Sequence, residues 1–107
     1  MNKISGIYKI TNNVNGKIYI GSSEDIERRW YHHKNCLNKD IHINKHLQAA
    51  WNKYGENSFS FEILEKCNPE DTLKIEQKYL DMYWDEKILY NIARYAEAPM
   101  KGRTHTE

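Results

Sequence analysis

The sequence contains only two cysteines and two prolines, and no apolar run approaches the roughly 20 residues that a membrane-spanning helix needs. Cys36 and Cys67 show no CxxC spacing and are too few to stabilise a secreted scaffold, so we expect a reducing, cytoplasmic setting. The first residues also lack the apolar segment of a secretory signal peptide. The remaining composition, 107 residues of which 39% are hydrophobic and 29% charged, indicates one small soluble domain.

A large excess of charge of either sign is also missing, because 16 Lys and Arg residues face 15 Asp and Glu residues. The formal net charge is +1, yet the two halves of the chain differ. Residues 1–54 hold nine basic and four acidic residues, whereas residues 55–107 hold seven basic and eleven acidic ones. This asymmetry is typical of a surface that faces a polyanion, although an uneven solvated surface would give the same counts.

Two short runs rich in β-branched and aromatic residues predict a pair of strands, at 6–11 and 17–21. The dipeptide Asn15-Gly16 between them favours a two-residue type I′ turn, because both residues tolerate a positive φ. Such a turn would pair Asn12 with Tyr19. Tyr8 is an even number of residues from Asn12. We therefore predict that Tyr8 and Tyr19 point to the same face of the sheet, unless a bulge intervenes.

The rest of the chain predicts three helices and a third strand. Ser22 and Ser23 can cap a first helix, and Gly55 is suited to ending a second one. The predicted elements are a first helix from Glu24, a second helix at 43–54, a third strand at 58–64, a third helix at 69–84 and a short extended or turn segment at 90–93. The predicted fold class is mixed α/β, with a small three-stranded antiparallel sheet flanked by helices.

Glu76 lies where the third helix is expected to be apolar. On a helical wheel, Glu76 falls between Leu80 and Tyr83, on the side opposite the polar arc. A carboxylate there must be paired, bound to a metal ion or exposed in a cleft, because an unpaired buried charge is costly. A structural ion pair and a functional site are both compatible with this position.

The first helix shows a similar irregularity. Ile26, Trp30 and Leu37 form its apolar stripe, but His33 lies within the stripe and Arg29 lies at its edge. Arg29 and His33 are four residues apart and share one face. A guanidinium beside an imidazole suits a phosphate, which arginine can hold with two parallel hydrogen bonds. The alternative is a buried structural histidine beside an arginine that extends to water.

A second arrangement has the i, i+4 spacing of a possible zinc site, and consists of His32, Cys36, His42 and His46. The usual zinc-finger spacings are absent, so the sequence argues against structural zinc. Neither a glycine-rich phosphate-binding loop nor a GxSxG nucleophile motif is present.

The motifs GIY at 6–8 and YIG at 19–21 resemble the two-part signature of the GIY-YIG nucleases. The stretch 5–29 is most similar to the branch found in phage and intron-encoded homing endonucleases. Later landmarks of that branch follow in order and with suitable residue types, at Arg29, His33, His42, Glu76 and Asn91. The resemblance covers roughly residues 4–95, and no landmark position departs from the family pattern.

The resemblance implies metal-dependent hydrolysis of phosphodiester bonds in double-stranded DNA. Glu76 would bind one divalent cation, Mg²⁺ or Mn²⁺, and Arg29 would neutralise the transition state. Tyr8 would activate the attacking water as general base or orient it, and Tyr19 would position the water or the phosphate. His33 would assist proton transfer or bind phosphate.

Other residues are expected to support these groups or to hold the DNA. Asn91 would orient the catalytic groups through hydrogen bonds, and the DNA backbone would be contacted by Lys9, Lys17, Arg28 and His42. The alternative from a different class is a non-catalytic nucleic-acid-binding module that uses the basic, aromatic-rich N-terminal half.

Residues 1–96 are predicted to form the catalytic domain. Residues 97–107 are predicted to be a linker or the start of a DNA-binding tail, so we expect the chain to be a catalytic domain of a longer protein. No feature of the sequence calls for a membrane or for an obligate protein partner.

Overall fold

The computed structural model describes residues 3–96 and contains one sheet and three α-helices. The strands are β1 (Gly6–Asn12), β2 (Ile18–Ser23) and β3 (Phe59–Lys66), and the helices are α1 (Ile26–Asn38), α2 (Lys45–Tyr54) and α3 (Thr72–Tyr83). The strands pair antiparallel in the order β2-β1-β3, so the predicted fold class is confirmed. The predicted linker or tail at 97–107 lies outside the described residues. Within the described part, no helix is long and apolar enough to cross a membrane.

The hairpin between β1 and β2 closes through a four-residue loop, and the prediction of a two-residue turn is wrong. The N–H of Asn12 donates to the carbonyl of Lys17 (2.8 Å), so Asn12 pairs with Lys17 rather than with Tyr19. The Asn12 side chain also accepts from the N–H of Val14 (2.9 Å), which begins the turn early. The register is thereby shifted by two residues. An even shift preserves the alternation of side chains, and Tyr8 and Tyr19 share one face as predicted.

The sheet separates two apolar clusters. On one face Tyr8 and Ile10 pack against α1 and α2, with Ile26, Leu37, Leu47, Trp51 and Phe59 in the same cluster. On the other face Ile7, Ile18 and Ile20 pack against Leu80 of α3. Each fully buried Ile or Leu contributes about 1.5–3 kcal/mol, so these clusters fix the helices on opposite sides of the sheet.

The helix ends follow local capping rules, but not with the predicted residue at the start of α1. Asp25 is the N-cap there, and its side chain accepts from a backbone N–H of the first turn (3.3 Å). Ser23 accepts from the N–H of Asp25 (2.9 Å), which leaves the hydroxyl of Ser22 for another partner. Asn44 caps α2, and Gly55 ends that helix at a φ of 89°, as predicted.

The outer edge of β2 is covered by the extended segment that follows α3. Ile18 donates to the carbonyl of Ile88 (2.8 Å) and accepts from the N–H of Tyr90 (2.7 Å). The side chain of Asn91 continues this ladder, because Oδ1 accepts from the N–H of Ile20 and Nδ2 donates to its carbonyl, both at 2.8 Å. The backbone groups of Ile18 and Ile20 that face outward are therefore all paired.

Gly21 allows the ring of Tyr8 to lie across β2. The two residues are paired in the sheet, and a Cβ at position 21 would lie 2.5 Å from Cζ of Tyr8 and closer still to its hydroxyl oxygen. Tyr8 is only 1% exposed and packs edge-on against Trp30, with ring centroids 6.2 Å apart. The ring has no room to move aside. The missing side chain at Gly21 therefore determines where the hydroxyl of Tyr8 lies.

We expect Gly21→Ala to lower the free energy of unfolding by about 1–3 kcal/mol, because an added methyl group overpacks a buried contact. Urea denaturation of the two proteins measures this difference. The control is the same substitution in a Tyr8→Ala background, where the penalty should largely disappear because the phenol is gone. An equal penalty in both backgrounds would show that the collision with Tyr8 is not its cause.

Candidate active site

A chain of three hydrogen-bonded side chains leads from β1 into the protein. Tyr8 Oη and His33 Nε2 are 2.6 Å apart, and His33 Nδ1 and His42 Nε2 are 2.7 Å apart. The two imidazole planes differ by only 21°, and their centroids are 5.0 Å apart. That separation matches an in-plane N···N bond plus the distance from each ring centre to its nitrogen. The histidines therefore lie edge to edge rather than face to face.

His42 is held at the inner end of this chain. It is 4% exposed, and its Nδ1 accepts from the N–H of Asn44 (3.0 Å). The backbone N–H of His42 donates to Oε1 of Gln48 (2.9 Å), and Nε2 of Gln48 donates to the backbone carbonyl of Leu37 (2.9 Å). Because both ring nitrogens are already hydrogen-bonded, His42 has none free for the predicted contact with a DNA backbone.

Burial keeps both histidines neutral. It lowers the pKa of His33 from its ordinary value of 6.5 to about 3, and repulsion from His42 and Arg29 adds to the effect. Burial also lowers the pKa of His42, again with a contribution from Arg29. The chain that reaches Tyr8 therefore consists of uncharged imidazoles at neutral pH.

Tyr19 lies beside these histidines on the same face of the sheet as Tyr8. Its ring centroid is 5.5 Å from that of His33 and 6.3 Å from that of His42, and both pairs are edge-on. Burial raises the pKa of Tyr8 and that of Tyr19, whereas the charge of Arg29 lowers both. Both phenols therefore carry their protons at neutral pH.

Arg29 is the charged group that these side chains share. It is exposed on α1, one turn before His33, and its charge acts on the pKa values of Tyr8, Tyr19 and Glu76. It also lines a cleft of about 360 Å³, together with Lys3, Ser23, Glu24, Asp25, Arg28 and His32. The guanidinium is therefore open to a ligand on one side and close to the phenols on the other.

Glu76 reaches the same end of β2 from the opposite face of the sheet. It is half-buried on α3, beside Leu80, as the helical wheel predicts. Ser22 Oγ donates a hydrogen bond of 2.5 Å to Oε1 of Glu76. Burial raises the pKa of this carboxyl group, while the hydrogen bond from Ser22 and the charge of Arg29 lower it. Within residues 3–96 no ion pair involves Glu76, so the structural ion pair that the sequence left open is not formed there.

A single carboxylate cannot form a metal cage made only of protein ligands. In the described part of the chain, no three His, Cys, Asp or Glu side chains lie close enough together to hold an ion. The zinc arrangement of His32, Cys36, His42 and His46 is therefore not assembled, and Cys36 Sγ simply contacts His32 Nε2 at 3.6 Å. The carboxylate of Glu76 does suit Mg²⁺, which binds one or two carboxylates and completes its octahedron with water and phosphate oxygens.

Three of the predicted residues do not join these side chains. Lys9 lies on the sheet face opposite Tyr8 and pairs with Glu62 at 3.6 Å. Lys17 lies at the loop end of the hairpin, about 17 Å along the strand from Ser22. Asn91 makes both of its side-chain hydrogen bonds to the backbone of β2 rather than to a catalytic candidate.

Three residues, Ser22, Gly21 and Gln48, support the site in ways that the sequence did not predict. Ser22 precedes a helix and so favours capping, and nothing in the local pattern indicates a partner on α3. Gly21 carries a usable signal, since a glycine inside a strand often marks a close approach by another group. Gln48 also carries one, because it is a polar residue on the apolar face of α2, next to Leu47 and near Trp51. Like Glu76, Gln48 is a polar residue at a helix position that the periodicity predicts to be apolar.

We expect stability to fall as the pH drops from about 6.5 towards 5. The folded pKa of each buried histidine lies below its unfolded value, so the unfolded chain takes up protons first. His33, whose folded pKa is about 3, then costs about 1.4 kcal/mol per pH unit, and His42 acts in the same direction. Urea denaturation at several pH values should show a shallower slope in His33→Gln than in the wild type. The exposed His46 gives a matched control, and an equal change of slope in His46→Gln would contradict the assignment.

The chain matches a known family over most of its length, with residues 4–88 fitting the GIY-YIG catalytic domain. It is 40% identical over 91 residues to the intron-associated endonuclease 1 of Enterobacteria phage T4, covering 85% of this chain and 36% of that protein. It is 34% identical over 109 residues to the probable intron-encoded endonuclease 1 of Neurospora crassa, covering 95% of this chain and 34% of that one. The chain thus spans about a third of the length of these relatives.

Two solved structures share the fold. The catalytic domain of homing endonuclease I-TevI superposes with a TM-score of 0.76 at 35% identity, covering 83% of this chain and 98% of that one. A point mutant of the catalytic domain of intron endonuclease I-TevI gives a TM-score of 0.79 at 34% identity, covering 89% and 99%. The resemblance predicted from the sequence is confirmed, and the chain belongs to the GIY-YIG catalytic domain family.

Proposed function

We propose that this domain hydrolyses phosphodiester bonds of double-stranded DNA with the help of one divalent cation. The observation that carries the proposal is the grouping of side chains at one end of β2. Tyr8 and Tyr19 both pack against His33, one helical turn from Arg29, and Ser22 holds Glu76 at the same strand end. The charge of Arg29 acts on both phenols and on Glu76. Two hydroxyls, a guanidinium and a carboxylate are the groups that a metal-assisted attack on a phosphate requires. The names of the relatives, intron-associated and intron-encoded endonucleases, favour DNA as the substrate.

Arg29 is the residue we assign to the scissile phosphate. Its guanidinium is exposed and can hold two phosphate oxygens in parallel, which stabilises the negative charge that builds up in the transition state. Lys3, Arg28 and His32 line the same cleft, which also contains the acidic Glu24 and Asp25, and we assign these three residues to the neighbouring DNA backbone. Of the four predicted DNA contacts, Arg28 is the one that lies beside Arg29.

Tyr8 is assigned to the attacking water, which it activates or orients, and Tyr19 to the position of the water or the phosphate. Burial raises the pKa of Tyr8, so its phenolate needs additional positive charge nearby before it can accept a proton from water. Arg29 supplies one such charge. Because Gly21 fixes the ring of Tyr8, its oxygen is positioned before the substrate arrives.

Glu76 is assigned to the divalent cation, Mg²⁺ or Mn²⁺. When bound, such an ion supplies positive charge at the phosphate and at the leaving oxygen. The hydroxyl of Ser22 fixes the carboxylate through Oε1 and leaves Oε2 as the oxygen available to the ion. The carboxylate of Glu76 is therefore half-buried, and it forms no ion pair within residues 3–96.

The remaining predicted residues near β2 are assigned to holding the catalytic side chains in position. His33 and His42 lie behind Tyr8 and hold its hydroxyl rather than a phosphate. Asn91 holds β2, and through the backbone of Ile20 it sets the position of Tyr19. For His33 and His42 these assignments replace the direct roles expected from the sequence with indirect ones, whereas Asn91 keeps the orienting role expected of it.

We further propose that this domain is the catalytic part of a longer homing endonuclease. The relatives are about three times the length of the matched region, and the matched structures are catalytic domains of intron and homing endonucleases. Residues 97–107 would then open the segment that binds the target DNA. The even balance of charge within the 107 residues is compatible with a separate module for binding.

We expect the protein to nick supercoiled plasmid DNA in the presence of Mg²⁺. Glu76→Gln and Arg29→Ala should each slow nicking at least about 100-fold, because the first removes the carboxylate that would bind the cation and the second removes a positive charge that stabilises the transition state. Conversion of supercoiled to open-circular plasmid, resolved on a gel, gives the rates. Far-ultraviolet circular dichroism shows whether each variant is folded.

Exposed residues away from β2 provide matched controls, Glu56→Gln for the carboxylate and Lys74→Ala for the cation, and both should nick at the wild-type rate. Wild-type rates in folded Glu76→Gln or Arg29→Ala would refute the assignment of that residue. The non-catalytic binding module would be favoured instead if the protein bound DNA in a manner that depends on salt but not on divalent metal, and did not nick it in long incubations.

A further inference from the structure

We propose that His42 and His33 form a one-way hydrogen-bond chain whose direction is set by the main-chain N–H of Asn44. In this chain His33 donates to the oxygen of Tyr8, so the proton of Tyr8 is directed away from the histidines and His42 is a positioning residue. The catalytic consequence rests on the proposed nuclease function, but the direction of the chain does not.

The direction starts at Asn44, because a backbone N–H can donate but never accept. This N–H points at Nδ1 of His42, with 3.0 Å between the two nitrogens. Nδ1 must therefore present a lone pair and carry no hydrogen. A neutral imidazole has one N–H, so the proton of His42 lies on Nε2.

The next two bonds follow from the first. Nε2–H of His42 is 2.7 Å from Nδ1 of His33, which must then accept. His33 consequently carries its own proton on Nε2, which lies 2.6 Å from the hydroxyl oxygen of Tyr8. His33 is the donor in that bond, and the oxygen of Tyr8 is the acceptor.

The other protonation states are excluded by the same contacts. A reversed chain, or a positively charged His42, would place a hydrogen on Nδ1 opposite the N–H of Asn44. A charged His33 would place a second hydrogen in the gap of 2.7 Å to His42. Burial, which lowers the pKa of both histidines, acts in the same direction as this steric argument.

The surroundings of His42 keep its ring in one orientation, so the hydrogen-bond chain cannot reverse its direction. Its backbone is tied to Gln48, and Asn44 is tied both to the first turn of α2 and to the carbonyl of Tyr90. A rotation of the His42 ring would break its bonds to Asn44 and His33 together. The donor order is therefore a property of the folded backbone rather than of a mobile side chain.

The consequence concerns the proton of Tyr8. Its oxygen already receives the hydrogen of His33, so its own O–H cannot lie along that bond and must point elsewhere. When this proton is transferred to a water molecule, the phenolate keeps the donor from His33, and neither histidine changes its protonation. His33 is therefore excluded as the acceptor of the Tyr8 proton, which departs from the role expected from the sequence.

Nuclear magnetic resonance of ¹⁵N-histidine-labelled protein tests the direction without any reaction. Long-range ¹H–¹⁵N spectra at pH 7 distinguish imidazoles protonated at Nε2 from those protonated at Nδ1 and from cationic rings. We expect His33 and His42 both to be neutral and protonated at Nε2. A proton on Nδ1 of either ring, or a cationic ring, would overturn the proposal.

Two variants of His42 test the consequence for catalysis, with supercoiled plasmid and Mg²⁺ as the probe. His42→Gln can still donate from its amide to His33, whereas His42→Leu cannot. We expect His42→Leu to lower kcat about 10–100-fold, the usual cost of losing a residue that orients a catalytic group. His42→Gln should restore kcat to within a few-fold, and KM should be unchanged in both variants.

An unchanged kcat in His42→Leu, or a loss of equal size in both variants, would refute the positioning role. A rise in KM instead would indicate direct contact with DNA. If His42→Leu fails to fold, the comparison of His42→Gln with the wild type and the histidine spectra still decide the matter. If the wild type does not nick DNA at all, the proposed function fails while the spectra continue to test the chain.

Discussion

β2 presents site residues on both of its faces, because successive side chains of a strand point to opposite sides of the sheet. Tyr19 and Gly21 face α1, while Ser22 faces α3 and holds Glu76. Arg29 acts on groups of both faces from the end of the strand. The geometry of the site therefore depends on one short strand, which is fixed by β1 on one side and by the amide of Asn91 on the other.

Five polar side chains are buried in the described part of the chain, namely Asn12, His33, His42, Asn44 and Gln48. A buried polar group without a partner costs about 1–3 kcal/mol, and each of these has at least one hydrogen bond. When all of these groups are hydrogen-bonded in one arrangement, any other arrangement leaves some of them buried without a partner and is less stable. The phenol of Tyr8 is thus held by a rigid polar interior, while Arg29 keeps the freedom of an exposed side chain.

The sequence predicted the elements well because their periodicities and capping residues are local. It also predicted that Glu76 lies on the apolar side of its helix. The prediction that Tyr8 and Tyr19 share one face is confirmed despite the wrong loop length, because a register shift of two residues leaves each side chain on the same face. The loop length was missed because Asn12 begins a turn with its own side chain, which competes with the turn favoured by Asn15-Gly16. The partner of Ser22 and the inward position of His42 arise from contacts between distant segments, which no local pattern contains.

The side-chain amide of Asn91 stands in for a peptide group beside Ile20 and completes a ladder that the backbone of Ile88 and Tyr90 begins. An uncovered edge strand is a template onto which a second chain can add, and such additions lead to aggregation. Here that template is closed along Ile18 and Ile20, so strand addition at this edge is blocked. The residue that fixes the strand of the site therefore also closes this edge of the sheet to a second copy of the chain.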